Sequence, residues 1–375
     1  MDRTDILLVG VGGYATCYVH ELALRGAQNN AHVVGIVDPY AKNSSEYQAV
    51  LDMHAPINDT LDEFYAEHKA DLAIIATPIP MHAAQSIYCM EHGSNVLMEK
   101  PITTVIDHAE RIIEARNRTG MKLAIGFQWC YDPVMYAFHK DVRAGVFGNV
   151  LSAKALILWP RDTAYYHRTT GWAGKKYDKN GNPIFDCVAS NATAHYLENI
   201  LWNIGSDIED MQVETARAND IEMYDTIAMQ GRAGTAKVTY VASHAAGRDN
   251  TIEPTMSYVF EKGSTSFMGL SSGSELTVNM NDGTVKHYGR TRNDNGEPMH
   301  KLWDTIAAIH GKGEIACTAE EAMLHTRAIT KVLELKPDAM VFPPERVEND
   351  NGMLWVPGLS DTLKRCYETE TILPL

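Results

Sequence analysis

The sequence predicts an α/β protein with an N-terminal Rossmann-type parallel sheet and a second α/β domain. Near the N-terminus an apolar strand pattern leads directly into a glycine turn and a helix. Short apolar runs then alternate with helical patterns up to residue 125, whereas β-type runs predominate after residue 208. Alternation of strands and helices is typical of a doubly wound parallel sheet, and consecutive strands joined by turns are most simply antiparallel. We therefore expect one domain over residues 1–125 and a second over residues 126–375.

The first strand pattern, Asp5–Val9, is followed by Gly10-x-Gly12-x-x-Ala15 and a helix-like run over Thr16–Arg25. Backbone N–H groups and the positive end of a helix dipole make such a turn an anion site. Gly10 would form the tight turn, Gly12 would let a pyrophosphate approach the backbone, and Ala15 would keep the helix close to the strand. Glycine-rich turns follow many strands, so this motif alone does not establish a dinucleotide site.

The second apolar strand, which ends at Asp38, strengthens the dinucleotide hypothesis. Asp38 lies 23 residues after Ala15 and is followed by Pro39 and Tyr40 rather than by a basic residue. A carboxylate in this position accepts hydrogen bonds from the hydroxyls of an adenosine ribose and repels a 2′-phosphate. The two signals together predict an NAD site with a preference for NAD over NADP.

The bulk composition is that of a globular protein and limits the classes of partner. The chain has 375 residues, 45% hydrophobic and 22% charged, which is enough for two domains. A net charge of −15 argues against a nucleic-acid partner, which would need a basic face. The six cysteines form no CxxC pair, which favours reduced thiols over a disulfide framework or a metal site. We see no signal-peptide pattern and no apolar run of membrane-spanning length, so we expect a cytoplasmic protein.

Polar residues follow two further strand patterns, where open α/β sheets bind ligands. Thr77 and Pro78 come after one strand, and His82 either contacts a ligand there or simply opens the next helix. Glu99-Lys100-Pro101 closes the following strand, and Pro101 constrains the backbone beside Lys100, with a cis bond as one option. For an isolated lysine the alternative is a solvated charge.

These motifs together resemble the Gfo/Idh/MocA oxidoreductase family. The resemblance rests on the glycine turn, Asp38, Thr77-Pro78 with His82, and Glu99-Lys100-Pro101, and it continues through Gly126-Phe127-Gln128 and Gly145-Val-Phe-Gly148. It implies an N-terminal Rossmann domain and a C-terminal substrate-binding α/β domain. The C-terminal domain would have an open, mainly antiparallel sheet, whose face would make a homodimer or homotetramer. It also implies that cofactor contacts come from a wider set of residues: Gly10, Gly12, Gly13, Tyr14, Ala15, Asp38, Thr77, Pro78, His82, Glu99, Lys100 and Gln128.

A stretch rich in aromatic residues and arginine, between Trp159 and Pro183, is our candidate for substrate binding. It contains Arg161, Tyr166, Arg168 and Trp172. Aromatic faces beside hydrogen-bond donors suit a sugar or polyol, which has apolar C–H faces and a hydroxylated rim. The alternative is a loop held to the surface by its aromatic side chains.

A helix-like run from Ala189 places Asn191, His195 and Glu198 on one helix face, at spacings of i, i+4 and i+7. Apolar neighbours suggest that this helix is largely buried, so its polar groups need partners. In the family resembled here, this helix carries Asp and His four residues apart, and they act with the lysine of Glu-Lys-Pro. The resemblance therefore assigns catalysis to Lys100 and His195 and places Asn191 where the family has Asp. Asn191 can hydrogen-bond a lysine or a substrate hydroxyl, but it brings no charge.

Three functions compete on this evidence. The first is NAD-dependent oxidation of a secondary hydroxyl of a sugar, inositol or related polyol, with His195 as base and Lys100 polarising the hydroxyl. The second resembles the NAD-assisted glycosidases of the same superfamily, which oxidise transiently, eliminate and return the hydride. That chemistry would need a further acid or base, such as Tyr166, Asp186 or Glu198. The third is a ligand sensor on the same fold without turnover.

Overall fold

The computed structural model describes residues 2–168, 171–247, 252–268, 275–291 and 299–374. It divides the chain into two compact units. The first unit contains Met1–Tyr131 and Asp294–Met323, and the second contains Asp132–Asn293 and Leu324–Leu375. No helix in the described ranges is long and apolar enough to cross a membrane.

The N-terminal segment alternates strands and helices from residue 4 to residue 125, as the sequence pattern predicts. Its elements in order are β1 Thr4–Val9, α1 Ala15–Arg25, β2 Ala31–Val37, α2 Tyr47–Asp52, β3 Ile57–Asn58, α3 Leu61–Glu67, β4 Leu72–Ile75, α4 His82–Glu91, β5 Asn95–Met98, α5 Ile106–Thr119 and β6 Leu123–Ile125.

The six strands form one sheet in the order β3-β2-β1-β4-β5-β6, and every pairing in it is parallel. The strand order reverses between β1 and β4, so ligands are expected beyond the carboxyl ends of these two strands. The prediction of a doubly wound Rossmann sheet is confirmed.

The middle of the chain supplies most of the second unit. Its elements are α6 Pro133–Arg143, β7 Val150–Leu158, α7 Thr163–Tyr166, α8 Ala194–Ile204, β8 Ile208–Arg217, β9 Thr226–Ala233, β10 Ala236–Ser243, β11 Ile252–Phe260, β12 Gly263–Met268, β13 Glu275–Met280 and β14 Val285–Arg290. The last part of the chain adds α9 His300–Ile309, α10 Ala319–Leu335, β15 Met340–Val341, β16 Glu348–Asp350, β17 Met353–Trp355 and α11 Leu359–Thr369.

The second unit contains a nine-stranded sheet in the order β14-β13-β12-β11-β7-β10-β9-β8-β15. Its pairings are antiparallel except for β7 with β10 and β8 with β15, which are parallel. This confirms the predicted open, mainly antiparallel sheet. Assembly through its face stays a prediction.

Helices cover the central strands of this sheet on both faces. The start of α8 meets β10 at Tyr240, whose hydroxyl lies 2.5 Å from that of Thr193. Val241, the next residue of β10, clusters instead with Leu359 and Leu363 of α11. Because successive side chains on a strand point to opposite faces, α8 and α11 lie on opposite sides of the sheet.

Helix α8 begins at Ala194, five residues later than the sequence pattern predicts. Ser190 and Thr193 bond to nearby backbone instead of continuing a helix, since the Ser190 hydroxyl accepts from the N–H of Cys187 and the Thr193 hydroxyl donates to Val188. Such local bonds compete with helix formation. Asn191 therefore lies in the turn before α8 and not on the helix face that was predicted to carry it.

Helix α9 belongs to the first unit, although it follows the second unit's strands in sequence. Its apolar residues Leu302, Trp303 and Ile306 join the same core cluster as Leu8 of β1 and Tyr18 of α1. No pattern in the sequence predicts this return of the chain to the first unit. It matters for the candidate site because α9 also carries Lys301.

Candidate active site

The glycine turn between β1 and α1 is open where a ligand would approach it. Gly10 has a φ of +86°, and a Cβ there would lie 3.0 Å from the carbonyl oxygen of Ala76, so only glycine fits this position. In contrast, no described atom outside the immediate chain neighbours lies within 4 Å of the position that a Cβ would occupy at Gly12 or Gly13. The turn therefore combines a constrained start with exposed backbone at its centre.

The N-terminus of α1 continues this open backbone. Ala15 is the first helical residue, and no side chain caps the helix at Tyr14. The first turn of the helix contains no acidic residue. Because the N–H groups and the dipole of a helix N-terminus favour negative charge, this end of α1 suits a phosphate group.

Asp38, directly after β2, has its carboxylate fixed beside the same turn. One carboxylate oxygen accepts from the N–H of Val11 at 2.9 Å, and the other accepts from the N–H of Tyr40 at 2.8 Å. A carboxylate oxygen has more than one acceptor position, so these two bonds orient the group and leave capacity for ligand hydroxyls. Asp38 thus lies next to the glycine turn, as a ribose-binding acid must.

His82, the first residue of α4, connects two loops at the carboxyl edge of the sheet. Its Nε2 lies 2.9 Å from the carbonyl oxygen of Thr77 and its Nδ1 lies 3.0 Å from that of Pro101. Burial lowers the pKa of the imidazole, and a neutral ring can donate to only one of these carbonyls at a time. The placement supports a structural role. The predicted contacts of Thr77, Pro78 and His82 with a cofactor stay predictions.

Lys100 follows β5 and precedes a cis peptide bond to Pro101. Its backbone N–H donates to the side chain of Glu99 at 3.2 Å, and the lysine side chain is half-buried. Gln128, further along the chain, is buried and accepts a hydrogen bond from the Tyr14 hydroxyl at 3.1 Å. These two pairs are joined into one hydrogen-bonded network by Lys301, which bonds to both Glu99 and Tyr14.

Lys301 lies at the centre of this hydrogen-bonded network. It was not among the residues predicted from the sequence. Its side chain is fully buried, and its ammonium donates to the carboxylate of Glu99 and, at 3.1 Å, to the Tyr14 hydroxyl. The hydroxyl of Tyr18 donates to the same Glu99 oxygen at 2.7 Å. Burial by itself lowers the pKa of Lys301, but Glu99 and Tyr14 more than offset this and raise it above its ordinary value. The available signal was a lysine within the apolar pattern of α9.

Glu99 is therefore committed to an internal ion pair. A cofactor contact is predicted for it, and its observed partners are Lys301, Tyr18 and the backbone N–H of Lys100. Through this pair Glu99 fixes the segment that presents Lys100. A direct bond between Glu99 and a cofactor stays a prediction.

In the second unit, the predicted substrate residues lie around the short helix α7. The guanidinium carbon of Arg168 lies 4.1 Å from the ring centroid of Tyr165 and 4.2 Å from that of Trp172. Arg161 packs against the same Tyr165 ring at 5.0 Å. Tyr166 is buried in a small apolar cluster onto which Tyr165 and Trp172 pack. The structure therefore brings Arg161, Tyr166, Arg168 and Trp172 into one cluster.

Asn191 is paired with a carboxylate that the sequence analysis considered only for the glycosidase alternative. Its amide donates to one oxygen of Asp186 at 2.9 Å, and the other oxygen accepts from the N–H of Gly174 at 2.7 Å. Asp186 is only 3% exposed. His195, the second residue of α8, is half-buried. A negative charge absent at position 191 is thus present at the residue that Asn191 contacts.

The catalytic residues expected to act together are divided between the two units. Lys100 lies in the first unit, and Asn191 and His195 lie in the second. Their convergence on one substrate stays a prediction. Within the first unit, the open glycine turn, the uncapped end of α1 and the oriented Asp38 carboxylate fit a dinucleotide.

Sequence comparison places residues 4–127 in an oxidoreductase family with an NAD-binding Rossmann fold. The chain is 25% identical over 252 residues to an inositol 2-dehydrogenase of Rubrobacter xylanophilus, covering 65% of this chain and 67% of that protein. It is 31% identical over 152 residues to an inositol 2-dehydrogenase of Mycolicibacterium smegmatis, covering 40% of this chain and 43% of that protein. The chain thus spans less than half the length of the second relative.

Comparison of folds extends the similarity into the second unit. The WlbA dehydrogenase from Bordetella pertussis, solved in complex with NADH and UDP-GlcNAcA, matches with a TM-score of 0.70. The match covers 89% of this chain and 96% of that one at 22% identity. At this identity the match establishes the two-part fold and not the ligand.

Proposed function

The N-terminal domain belongs to the Gfo/Idh/MocA oxidoreductase family, and on that premise we propose that the chain oxidises a secondary hydroxyl of a sugar, inositol or related polyol with NAD. The observation that carries the proposal is the open glycine turn with the Asp38 carboxylate fixed beside it. The inositol 2-dehydrogenases among the relatives support the substrate class.

The cofactor would be held by the turn and by Asp38. Gly12 and Gly13 offer backbone N–H groups and open space to the pyrophosphate, and the end of α1 adds its dipole. Asp38 would accept hydrogen bonds from the adenosine ribose and disfavour a 2′-phosphate, which gives the preference for NAD over NADP.

The catalytic groups would be Lys100 and His195. NAD, when bound, supplies the hydride acceptor. The hydroxyl proton must leave as the hydride does, and the imidazole of His195 would accept it as general base. The Lys100 ammonium would hold the hydroxyl and stabilise the developing negative charge on its oxygen. The internal pair of Glu99 and Lys301 would fix the segment on which Lys100 depends.

Asp186 would supply the negative charge that the family usually places at position 191. Its carboxylate lies 2.9 Å from the Asn191 amide, so the two residues act as one hydrogen-bonded pair. The pair would orient the substrate hydroxyl or the His195 ring, with Asp186 favouring a protonated imidazole electrostatically.

The test is NADH production by the full chain across a panel of sugars, inositols and aryl glycosides, with the His195→Ala variant as control. Net NADH formed by the parent and not by the variant would support the proposal. Cleavage of aryl glycosides without net NADH would instead favour the redox-assisted glycosidase. Binding of NAD and a polyol without turnover would favour the sensor.

A further inference from the structure

Two arginine side chains of the cluster around α7 contact the same aromatic ring. Arg161 precedes the helix and Arg168 follows it, and both guanidinium groups contact the ring of Tyr165. Two cations held against one ring repel each other unless an anion lies near them.

No acidic side chain in the described ranges forms an ion pair with either arginine. Asp162 is next to Arg161 in sequence, but one of its oxygens caps α7 by accepting from the N–H of Tyr165 at 3.0 Å. Asp186, which acts electrostatically on Tyr165, bonds to Gly174 and Asn191 through its two oxygens. Neither guanidinium group thus has an ion-pair partner among the described residues, although the Asp186 carboxylate lies near enough to act on the ring that both contact.

Three hydrogen-bond donors of the two arginines are buried and have no acceptor in the part of the chain that the structure describes. Nε and Nη2 of Arg168 and Nε of Arg161 are inaccessible to water and have no hydrogen-bond partner among the described residues. The hydroxyl of Tyr166 is also buried and has no hydrogen-bond partner among them. Four such groups within eight residues, three of them on arginines, concentrate donors that an acceptor could satisfy.

The two free donors of Arg168 define the chemistry of that acceptor. Nε and Nη2 form one edge of the guanidinium plane, which offers two parallel N–H groups. That edge matches the two oxygens of a carboxylate or a phosphate, and the paired bonds are charge-assisted. The hydroxyls of a neutral sugar do not match it as well, because they carry no charge.

The cluster also holds this edge in place before any ligand arrives. Tyr165 and Trp172 contact Arg168 and pack onto the buried residues Tyr166, Ala173 and Ile221. Burial, together with the charge of Arg161, lowers the pKa of the nearby His244 to about 3, so His244 adds no positive charge of its own at neutral pH. The positive charge of this cluster therefore comes from the two arginines.

We propose that Arg161 and Arg168 form a binding site for an anionic group, a carboxylate or a phosphate, carried by the substrate. The assignment of this cluster to substrate binding rests on the proposed function. The substrate class then narrows from polyols in general to sugar acids or phosphorylated polyols.

Calorimetry on the full chain, with and without saturating NAD, tests the charge requirement. The probes are matched sets: glucose with glucuronate and glucose 6-phosphate, galactose with galacturonate, and myo-inositol with a myo-inositol monophosphate. We expect at least one anionic member to bind about tenfold or more tightly than its neutral partner. The carboxylate and phosphate arms show which anion the site takes.

Three variants then locate the effect. Arg168→Gln should remove most of the preference for the anion, and Arg168→Lys should restore it only in part, because lysine keeps the charge without the two-point edge. Arg346→Gln, an exposed arginine elsewhere in the same unit, should leave it unchanged. NAD affinity, measured on each variant, reports whether the chain is folded.

The proposal is wrong if no anion in the panel binds more tightly than its neutral partner, or if Arg168→Gln weakens neutral and anionic members equally. These outcomes are separate from the test of the proposed function. NADH production from neutral polyols without charge discrimination would leave the function standing and remove the anion site. Selective binding of an anion without any NADH would do the reverse.

Discussion

At the scale of single residues, Asp38 and Asn191 are the positions whose side-chain chemistry bears most directly on function. Asp38 lies at the end of β2, where a ribose-binding acid is expected, and its two backbone bonds fix it beside the glycine turn. Asn191 lacks the expected charge and contacts a residue that has it. Each of these two residues leads to a prediction about the effect of a single carboxylate charge.

The Asp38 charge should determine the choice between NAD and NADP. We expect the parent to bind NAD at least tenfold more tightly than NADP, which is about 1.4 kcal/mol. Asp38→Asn keeps the size of the side chain but removes the repulsion of a 2′-phosphate, so the gap should narrow. Calorimetry with both cofactors measures it, with Asp52→Asn on α2 as an exposed control. Equal affinities in the parent would contradict the assignment.

The charge beside His195 should control the acidic limb of the pH–rate profile. In Asn191→Asp a second carboxylate would lie within hydrogen-bond reach of Asp186, so the two would share a proton over part of the pH range. The added anion should still raise the pKa of His195, moving the acidic limb to higher pH by less than about one unit.

The measurement for this prediction is kcat/KM against pH on one active substrate from the panel. Asn180→Asp, in an exposed loop of the same unit, should leave the profile unchanged. Profiles of the parent and Asn191→Asp that coincide in rate and in pH dependence would place Asn191 outside the site.

At the scale of elements, α9 contributes both apolar packing and a buried charge to the first unit. It joins the core through Leu302 and Ile306, and it delivers Lys301 to Glu99 and Trp303 to Glu21. A buried ion pair contributes little relative to apolar packing, but breaking it leaves a buried charge without a partner. Lys301 therefore couples the glycine turn, through Tyr14, to the segment that presents Lys100.

Removal of the Lys301 charge should be strongly destabilising. We expect Lys301→Met to lower the free energy of unfolding by about 3–5 kcal/mol, because Glu99 remains buried and unpaired. The double variant Lys301→Met with Glu99→Gln should recover part of that loss. Urea unfolding measures both.

The control for this prediction is Lys312→Met, which removes an exposed pair with Asp2 and should change the free energy of unfolding far less, since water and salt screen an exposed pair. A similar loss of unfolding free energy in Lys301→Met and Lys312→Met would show that the buried pair is no more important for stability than the exposed one. The double variant separates loss of charge pairing from loss of packing, since only the former is relieved by removing the second charge.

At the scale of the whole molecule, the chain is acidic, and its stability should depend on pH through buried histidines. Burial, and secondarily Arg143, lowers the pKa of His139 from its ordinary 6.5 to about 4. The ring stacks on Trp202 at 3.6 Å. Between pH 4 and 6.5 the unfolded chain binds a proton that the folded chain does not, so stability falls as the pH is lowered through this range.

His139→Phe, which keeps an aromatic ring against Trp202 but cannot titrate, should reduce that acid sensitivity. Between pH 7 and pH 4.5 the variant should lose roughly 2 kcal/mol less of its unfolding free energy than the parent. Urea unfolding at the two pH values measures the difference, and a substitution at the exposed His92 should have no such effect. Parallel losses in parent and variant would show that His139 does not titrate in this way.

Local sequence determined the Rossmann sheet, the mainly antiparallel second sheet and the cofactor turn. Alternating apolar runs specify strand and helix order because burial depends on the periodicity of each segment. The placement of Gly10, Gly12 and Asp38 around one turn could be predicted because it depends on backbone geometry within one β-α-β unit, while their contacts with a cofactor stay predictions. The clustering of four further residues could also be predicted, since they lie within a dozen positions of each other: Arg161, Tyr166, Arg168 and Trp172.

Only the tertiary structure decided the partners of those residues. Glu99 meets Lys301 across 202 positions of the chain, and no periodicity predicts a contact at that separation. The turn that moves Asn191 out of α8 and onto Asp186 depends on side chains that bond to the local backbone in preference to a helix. The burial of the arginine donors also depends on how the whole cluster packs. Sequence specifies local conformation and candidate chemistry, whereas long-range packing decides which charges are paired and which remain available to a ligand.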